Sequence, residues 1–443
     1  MFRWREPDRD PHGSAHSFMS KSPTTTVPAA TGEEGFGALR ELPTPGRLWV
    51  PCRDDARPIG TRVRRGEPLD LGIGQCRAPT DGRIVGIGRE SLLGGGETPV
   101  IVLETESANE IVRAPVSDSA GARKMLAGLS SAQPAAGIER LFAAGIWADR
   151  WTSPNLAGQL GRSAQSPVDT ILCGALDLDP ALPMQRVLAT AHAMDLAAGA
   201  AVLGILVGAA RVILAVPEDM SQDGVDALRK AAAVTGMRLF PLLNEYPVAN
   251  TSILIRRVTG RRLRPGRLPT EVGVLVIDAP AAVAIGRCLL HDESMLRVPL
   301  GVYDQERHAA HLFWAPVGIK VGDVLQSLNI SSESYAFRAG HVLREVPATP
   351  EEIVGAAELT VFAAQRARAL TPVACLRCGW CVEACPVHIN PAGLLEAAQQ
   401  HDLRLADDNG LKSCVECGIC THVCPARLPL LSAIRGLRAD PLF

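Results

Sequence analysis

Two cysteine runs near the end of the chain constrain its fold more than any other feature. The first run, CLRCGWCVEACP, begins at residue 375, and the second, CVECGICTHVCP, begins at residue 414. Both have the spacing Cys-x-x-Cys-x-x-Cys-x-x-x-Cys-Pro. In this spacing three thiolates surround one [4Fe–4S] cluster, while the fourth cysteine points away and binds a second cluster. The sequence therefore predicts a region that holds two clusters with crossed ligands.

The crossed pattern assigns four thiolates to each cluster. Structural zinc is the alternative, but a zinc site uses two Cys-x-x-Cys pairs and has no use for a third cysteine at the same step. Gly379 and Gly418 follow the second cysteine of each run, where the missing Cβ lets backbone N–H groups approach cluster sulfur. The predicted ligands are Cys375, Cys378, Cys381 and Cys424 for the first cluster, and Cys414, Cys417, Cys420 and Cys385 for the second.

The composition is typical of a globular protein of the cytoplasm. With 443 residues, the chain is long enough for two to four domains. A net charge of −2 gives no electrostatic reason to expect nucleic acid as a partner. The longest uncharged run, between Asp195 and Arg211, is too short to cross a bilayer and predicts a buried helix. The cysteines outside the two runs are expected to be buried free thiols: Cys52, Cys76, Cys173 and Cys288.

The first 110 residues predict a flexible lead-in over residues 1–38 and a small β module over residues 39–110. Within this module, GTRVRRGEPL and APTDGRIVGI resemble half of a lipoyl-type barrel sandwich. A covalent carrier of that type needs a lysine at the hairpin tip. No lysine occurs between Lys21 and Lys124, so the sequence excludes a covalent carrier.

Residues 120–300 alternate helical and strand patterns and predict an α/β core. The segments VDTILCG, RVILAVP, MRLFPLL and GVLVIDAP read as strands, and MQRVLATAHAMDLAAGAAVLGILVGAA reads as one helix. Residues 301–348 predict a β-grasp module, and residues 351–443 predict a helical ferredoxin region, reached through a helix that follows VPATPEE. The predicted fold class is therefore α/β and α+β, divided among several domains.

Barrel sandwich, α/β core, β-grasp module and two-cluster ferredoxin, in this order, resemble the RnfC family of the Rnf electron-transport complex. The resemblance covers roughly residues 40–440 and is strongest at the two cysteine runs. It implies that the β-grasp module is of the SLBB type. It also implies an α/β core that binds FMN and takes hydride from NADH, and clusters that pass single electrons to membrane subunits. The implied partners are other subunits of a redox complex and a ferredoxin or flavoprotein donor, at the inner face of the cell membrane.

The chain departs from that family at the flavin site. A glycine-rich loop of the type GLGGAGFPT is replaced by AAGIWADRWTSPNLAGQL, in which Trp147, Asp149, Arg150 and Trp151 stand where bare backbone would cradle phosphate. The NGAECEPY-type segment has become CGALDLDPAL, and the loop after Tyr246 has changed as well. We therefore expect no bound FMN, and we assign neither flavin-binding nor catalytic residues.

Three functions remain open on the sequence. The first is an electron-relay subunit whose working redox centres are its two clusters. The second is an active FMN-dependent NADH dehydrogenase subunit with an unusual loop, and the third is a scaffold that holds zinc. Flavin content, response to NADH and metal content distinguish them.

Overall fold

A computed structural model describes most of the chain after the lead-in. The described residues are 39–52, 57–70, 76–106, 117–129, 134–146, 149–179, 181–331, 333–365 and 371–439. The expected flexible segment 1–38 and Trp147 lie outside them.

The N-terminal region forms a small antiparallel sheet. Two long strands, β4 and β5, make a hairpin whose register shifts between Ile84 and Gly86. Side chains of alternate residues, such as Leu48, Ile84 and Leu103, are fully buried. The four-stranded sheet has the order β2-β5-β4-β3. The strands are β1 Arg40–Glu41, β2 Arg47–Pro51, β3 Arg62–Val63, β4 Gly82–Ser91 and β5 Glu97–Thr105.

The middle of the chain is an α/β unit with a parallel sheet. The four strands have the order β8-β7-β6-β9, and each corresponds to a segment that the sequence predicted as a strand. Ser221 caps α6 by accepting a hydrogen bond from the Gly224 N–H at 3.3 Å. The elements are α1 Ser119–Leu129, α2 Pro134–Ala143, α3 Leu156–Ser163, β6 Thr170–Gly174, α4 Met184–Ala191, α5 Ala193–Val207, β7 Arg211–Pro217, α6 Gln222–Thr235, β8 Arg238–Leu242, α7 Thr251–Thr259, β9 Val274–Asp278 and α8 Ala279–His291.

The single long helix predicted over residues 184–210 is two helices. The chain bends by 94° between α4 and α5 at His192, whose ring packs edge-on against Trp314 at 5.6 Å. The uncharged run lies mainly in α5, which is buried on nearly all sides, as a helix without a polar face must be. Among the described residues, no single helix is long and apolar enough to span a membrane. Only the bent pair α4 and α5, taken together, reaches that length and composition.

A second sheet joins segments that are far apart in the chain. It has six strands in the order β1-β11-β10-β14-β12-β13 and packs with the N-terminal sheet around one apolar core. The sequence predicted a helix between VPATPEE and the first cysteine run. This prediction is wrong, because residues 360–365 form strand β14, which pairs in parallel with β10. The elements are β10 Arg297–Asp304, β11 Ala309–Pro316, α9 Val321–Ser327, β12 Tyr335–Ala339, β13 Val346–Ala348 and β14 Thr360–Gln365.

The C-terminal region is helical and contains the two cysteine runs. Each run is an irregular loop that leads into a one-turn helix, and a longer helix follows. The longest helix of this region, α11, lies between the two runs. The helices are α10 Trp380–Glu383, α11 Pro391–Gln400, α12 Leu403–Asp408, α13 Ile419–His422 and α14 Leu430–Arg438.

Candidate functional site

Two cavities in the C-terminal region are each bordered by four of the eight run cysteines. The first three cysteines of one run lie with the fourth cysteine of the other, as the crossed spacing predicts. One cavity is lined by Cys375, Cys378, Cys381 and Cys424, and the other by Cys385, Cys414, Cys417 and Cys420.

The thiols surround these cavities without converging on one point. Within the described ranges, no three His, Cys, Asp or Glu side chains lie close enough to bind a single metal ion. A zinc ion needs four ligands at about 2.0–2.3 Å from one centre, whereas a cube of four irons presents one iron to each thiolate. The four remaining cysteines are buried free thiols, as predicted: Cys52, Cys76, Cys173 and Cys288.

The two cavities differ in exposure. Cys375 and Cys378 are exposed, whereas all four cysteines around the second cavity are buried. Burial raises the pKa of Cys417 and of Cys420 to about 12, so these thiols resist ionisation without nearby positive charge. Cluster iron would supply that charge. We refer to the cavities as the outer site (Cys375 side) and the inner site (Cys414 side).

Three side chains from the upstream domains donate hydrogen bonds to successive carbonyls beside the inner site. The indole N–H of Trp151 donates to the Val415 carbonyl at 2.8 Å, and the Arg344 guanidinium donates to the Glu416 carbonyl at 2.7 Å. The Tyr246 hydroxyl donates to the Cys417 carbonyl. These contacts fix the second cysteine run against the upstream part of the molecule.

The same residues form an aromatic cluster. The rings of Trp151 and Tyr246 stack at 5.9 Å, His341 lies 5.4 Å from Trp151, and the Arg344 guanidinium sits 4.5 Å above the Trp151 ring. Burial lowers the pKa of His341 to about 3, and the charge of Arg344 contributes to the decrease. His341 is therefore neutral at physiological pH, and its Nδ1 atom has no hydrogen-bond partner among the described residues.

Arg150 and Asp278 form a buried ion pair next to this cluster. Two guanidinium N–H groups donate to the two carboxylate oxygens at 2.7 and 2.6 Å, and the side chains are 9% and 1% exposed. Asp278 also caps α8 through the Ala281 N–H, and Arg150 donates to the Ala356 carbonyl at 2.6 Å. Of the residues predicted to fill the flavin site, Arg150 and Trp151 point inward. Asp149 is exposed and accepts a hydrogen bond from the Asn155 N–H.

The altered acidic segment is also engaged internally. Asp177 binds Arg186, and burial raises the pKa of Asp177 to about 6. Asp179 is buried and accepts from the Val342 and Ala181 N–H groups at 3.0 and 2.8 Å. Both carboxylates are therefore used to hold neighbouring segments in place.

Sequence reasoning missed Asp278 and Arg344. A signal for Asp278 existed, because it ends strand β9 and ligand sites in parallel sheets lie at the carboxyl ends of strands. Nothing local in the sequence marks Arg344, whose contacts are with residues far along the chain.

These groups border one cavity, which is lined by Arg150, Trp151, Asp179, His341 and Glu358, among others.

Comparison with protein families identifies two domains. Residues 157–287 match the Nuo51 FMN-binding domain, and residues 374–429 match a 4Fe-4S dicluster domain. The first match begins at Ala157, near the end of the altered loop and after Arg150 and Trp151. The fold and the sites thus define an iron–sulfur protein that combines a flavin-domain scaffold with a region for two [4Fe–4S] clusters.

Curated relatives of this chain include C subunits of ion-translocating oxidoreductase complexes. The RnfC protein of Edwardsiella ictaluri, from an ion-translocating oxidoreductase complex, is 25% identical over 82% of this chain and 47% of its own length. The RnfC protein of Acetobacterium woodii, from a Na(+)-translocating ferredoxin:NAD(+) oxidoreductase complex, is 26% identical over 96% of this chain and 95% of its own. The chain is RnfC-like, which confirms the predicted resemblance. It spans about half the length of the Edwardsiella protein.

A solved structure shows a similar fold. A chain of an NAD+-reducing [NiFe]-hydrogenase in the H2-reduced state aligns with a TM-score of 0.50 and 17% identity, over 72% of this chain and 63% of that chain. At this identity the likeness concerns the fold alone. It agrees with a mixed α/β protein of several domains.

Proposed function

We propose that this protein is an iron–sulfur electron-transfer subunit that relays single electrons through two [4Fe–4S] clusters. In this assignment Cys375, Cys378, Cys381 and Cys424 hold the outer cluster, and Cys414, Cys417, Cys420 and Cys385 hold the inner one. The observation that carries the proposal is the grouping of the eight thiols around two cavities in the crossed combination.

The clusters supply one-electron chemistry, and the chain sets the conditions for it. The fourth ligands, Cys385 and Cys424, tie the two runs into one unit, so the two sites lie next to each other. Backbone N–H groups point at ligand sulfur: the Glu416 nitrogen, for example, lies 3.3 Å from the Cys414 sulfur. Burial of the inner site keeps water away, whereas the outer site remains open to a partner.

The proposal includes the loss of flavin chemistry. The buried Arg150–Asp278 pair and the Trp151 ring support it, because these bulky side chains stand where bare backbone N–H groups would have to approach a flavin phosphate. The match to an FMN-binding domain favours the second candidate, an FMN-dependent NADH dehydrogenase subunit that feeds the clusters. We interpret that match as the retained scaffold of a flavin domain, since the matched residues include the four strands of the parallel sheet and begin after Arg150 and Trp151.

The partners are proposed to be other subunits of a redox complex, with a ferredoxin or a flavoprotein as donor. The names of the relatives, which are subunits of ion-translocating complexes, support this view. In such a complex the protein would lie on the inner face of the cell membrane. The four-stranded sheet would serve as a barrel-sandwich scaffold, the six-stranded sheet would contain the SLBB-like module, and the helical C-terminal region would be the ferredoxin domain.

Metal analysis tests the core of the proposal. Protein reconstituted without oxygen should contain about eight iron atoms and as much acid-labile sulfide per chain, the content of two cubes. Equimolar zinc with no iron would contradict it and would favour the scaffold function.

A further inference from the structure

The two cysteine runs have nearly the same backbone geometry. Gly379 and Gly418 both have φ 80° and ψ −7°, and each begins a one-turn helix. Two positions earlier, Arg377 and Glu416 both adopt the left-handed conformation, with φ of 54° and 51°. The loops of the two runs therefore present equivalent surfaces.

The upstream domains cover the loop of the second run. Val415 is only 5% exposed, and its carbonyl and the next two accept hydrogen bonds from Trp151, Arg344 and Tyr246. The cover is close, because a Cβ at Gly418 would lie 1.8 Å from the Leu343 carbonyl oxygen.

The equivalent loop of the first run is open. Every residue from 371 to 380 is exposed, and Leu376, which corresponds to Val415, is 63% exposed. A Cβ at Gly379 would meet no heavy atom within 4 Å. Among the described residues, seven large hydrophobic side chains are exposed, and four of them lie on this loop and its helix: Val373, Leu376, Trp380 and Val382.

The charged residue at the centre of the exposed loop, Arg377, has the opposite sign to its counterpart in the covered loop, Glu416. The Glu416 carboxylate pairs within the chain with Arg435 and Arg438, at 3.4 and 2.6 Å. Arg377 occupies the corresponding position, and it is exposed. The flanking exposed charges, Glu383 and Arg427, offset each other. A protein that covers this loop should therefore bring a carboxylate to Arg377.

We propose that the outer face, formed by Val373, Leu376, Arg377, Trp380 and Val382, binds an acidic redox protein. This protein covers the first run as the upstream domains cover the second. Its contact surface combines apolar groups with a carboxylate, and its own redox centre lies beside the exposed Cys375 and Cys378 thiolates. The inference rests on the proposed function, which it deepens by naming the face and the chemistry of the partner.

Binding of a defined probe tests this face. The probe is a small acidic ferredoxin in its oxidised form, and its Kd for the immobilised, cluster-loaded full chain is measured at about 0.02 M and about 0.2 M salt. Arg377→Glu should weaken binding at least about tenfold at low salt, and the effect should shrink at high salt because charge contacts are screened. Leu376→Ser should weaken binding at both salt concentrations.

Two variants serve as controls. Arg377→Lys keeps the charge, and Leu243→Ser removes an equally exposed apolar side chain elsewhere (Leu243 is 59% exposed). Both should bind within about twofold of the unchanged protein. Arg377 lies between two of the proposed ligands, Cys375 and Cys378. If Arg377→Glu lowers the iron content, the binding test is repeated with Val373→Glu, because Val373 lies before the first ligand and not between ligands.

The outcomes separate the two proposals. Loss of binding in variants with full iron content and normal reduction by dithionite supports the outer face. No binding by the unchanged protein, or equal binding by Arg377→Glu, contradicts it while the relay function stands. Light scattering of the unchanged protein shows whether it forms a dimer. If Arg377→Glu dissociates such a dimer, the proposal is contradicted, because the face then binds a second copy of this chain. A chain without iron contradicts the relay function instead.

Discussion

Single cysteines connect the two cluster sites. Because each cavity is lined by three cysteines of one run and the fourth cysteine of the other, we expect Cys381→Ser and Cys420→Ser each to damage one cluster and weaken the other. Iron content and EPR spectra of each variant measure this coupling. A loss of half the iron with an unchanged signal from the second cluster would argue for two independent lobes and against the crossing.

Gly379 and Gly418 have the same backbone conformation but different surroundings, so substitutions at the two positions distinguish backbone strain from packing. Alanine at Gly379 or Gly418 meets the same cost of about 1–2 kcal/mol in the left-handed conformation. Only at Gly418 does the added Cβ clash with the Leu343 carbonyl. We expect Gly418→Ala to lower the free energy of unfolding by about 1–3 kcal/mol more than Gly379→Ala does. Equal losses in urea denaturation would show that the second run is not fixed to the upstream domains as described.

Removing one partner of the buried Arg150–Asp278 pair should strongly lower the free energy of unfolding. Asp278→Asn should cost about 3–5 kcal/mol, because it leaves a buried guanidinium without its counter-charge. The double variant Arg150→Met, Asp278→Asn should recover part of this loss. The matched control is Glu104→Gln in the exposed pair with Arg47, which should cost less than about 1 kcal/mol. Urea denaturation that gives similar losses for Asp278→Asn and Glu104→Gln would contradict a structural role for the buried pair.

At the scale of elements, strand β14 determines where the ferredoxin region can be separated. The sequence placed this boundary at residue 351, but β14 pairs with β10 and β12 of the six-stranded sheet. A fragment that begins at Thr371 should therefore bind iron as well as one that begins at Glu351. Iron and sulfide analysis of both fragments is the measurement. If neither binds iron while the full chain does, the contacts of Trp151, Arg344 and Tyr246 are needed to form the inner site.

The elements that could be predicted are those set by local pattern. The cysteine spacing, the strands of the parallel sheet and the cap at Ser221 follow from neighbouring residues, and all three are present. Strand β14 could not be predicted, because its partner β10 lies about sixty positions earlier and the segment TVFAAQ has no clear strand pattern. The contact of His192 with Trp314 at the bend and the hydrogen bond from Trp151 to Val415 also join residues that are far apart in the chain.

At the scale of the whole molecule, the two sites have different surroundings. Tyr246, which follows β8, donates to the Cys417 carbonyl beside the inner site, and Asp278 ends β9 at the same edge of the parallel sheet. All four cysteines of the inner site are buried, whereas Cys375 and Cys378 of the outer site are exposed, so the outer site is the more accessible of the two.

The most direct test of a relay without flavin measures flavin content and reductant specificity on one preparation. Cluster-loaded protein should release less than about 0.1 FMN per chain, because Arg150 and Trp151 stand where bare backbone would cradle the flavin phosphate. Dithionite should bleach the iron–sulfur absorption, since low-potential clusters accept electrons directly from a strong reductant. NADH should leave that absorption unchanged. Stoichiometric FMN together with bleaching by NADH would show that the flavin site is functional and would contradict the central claim.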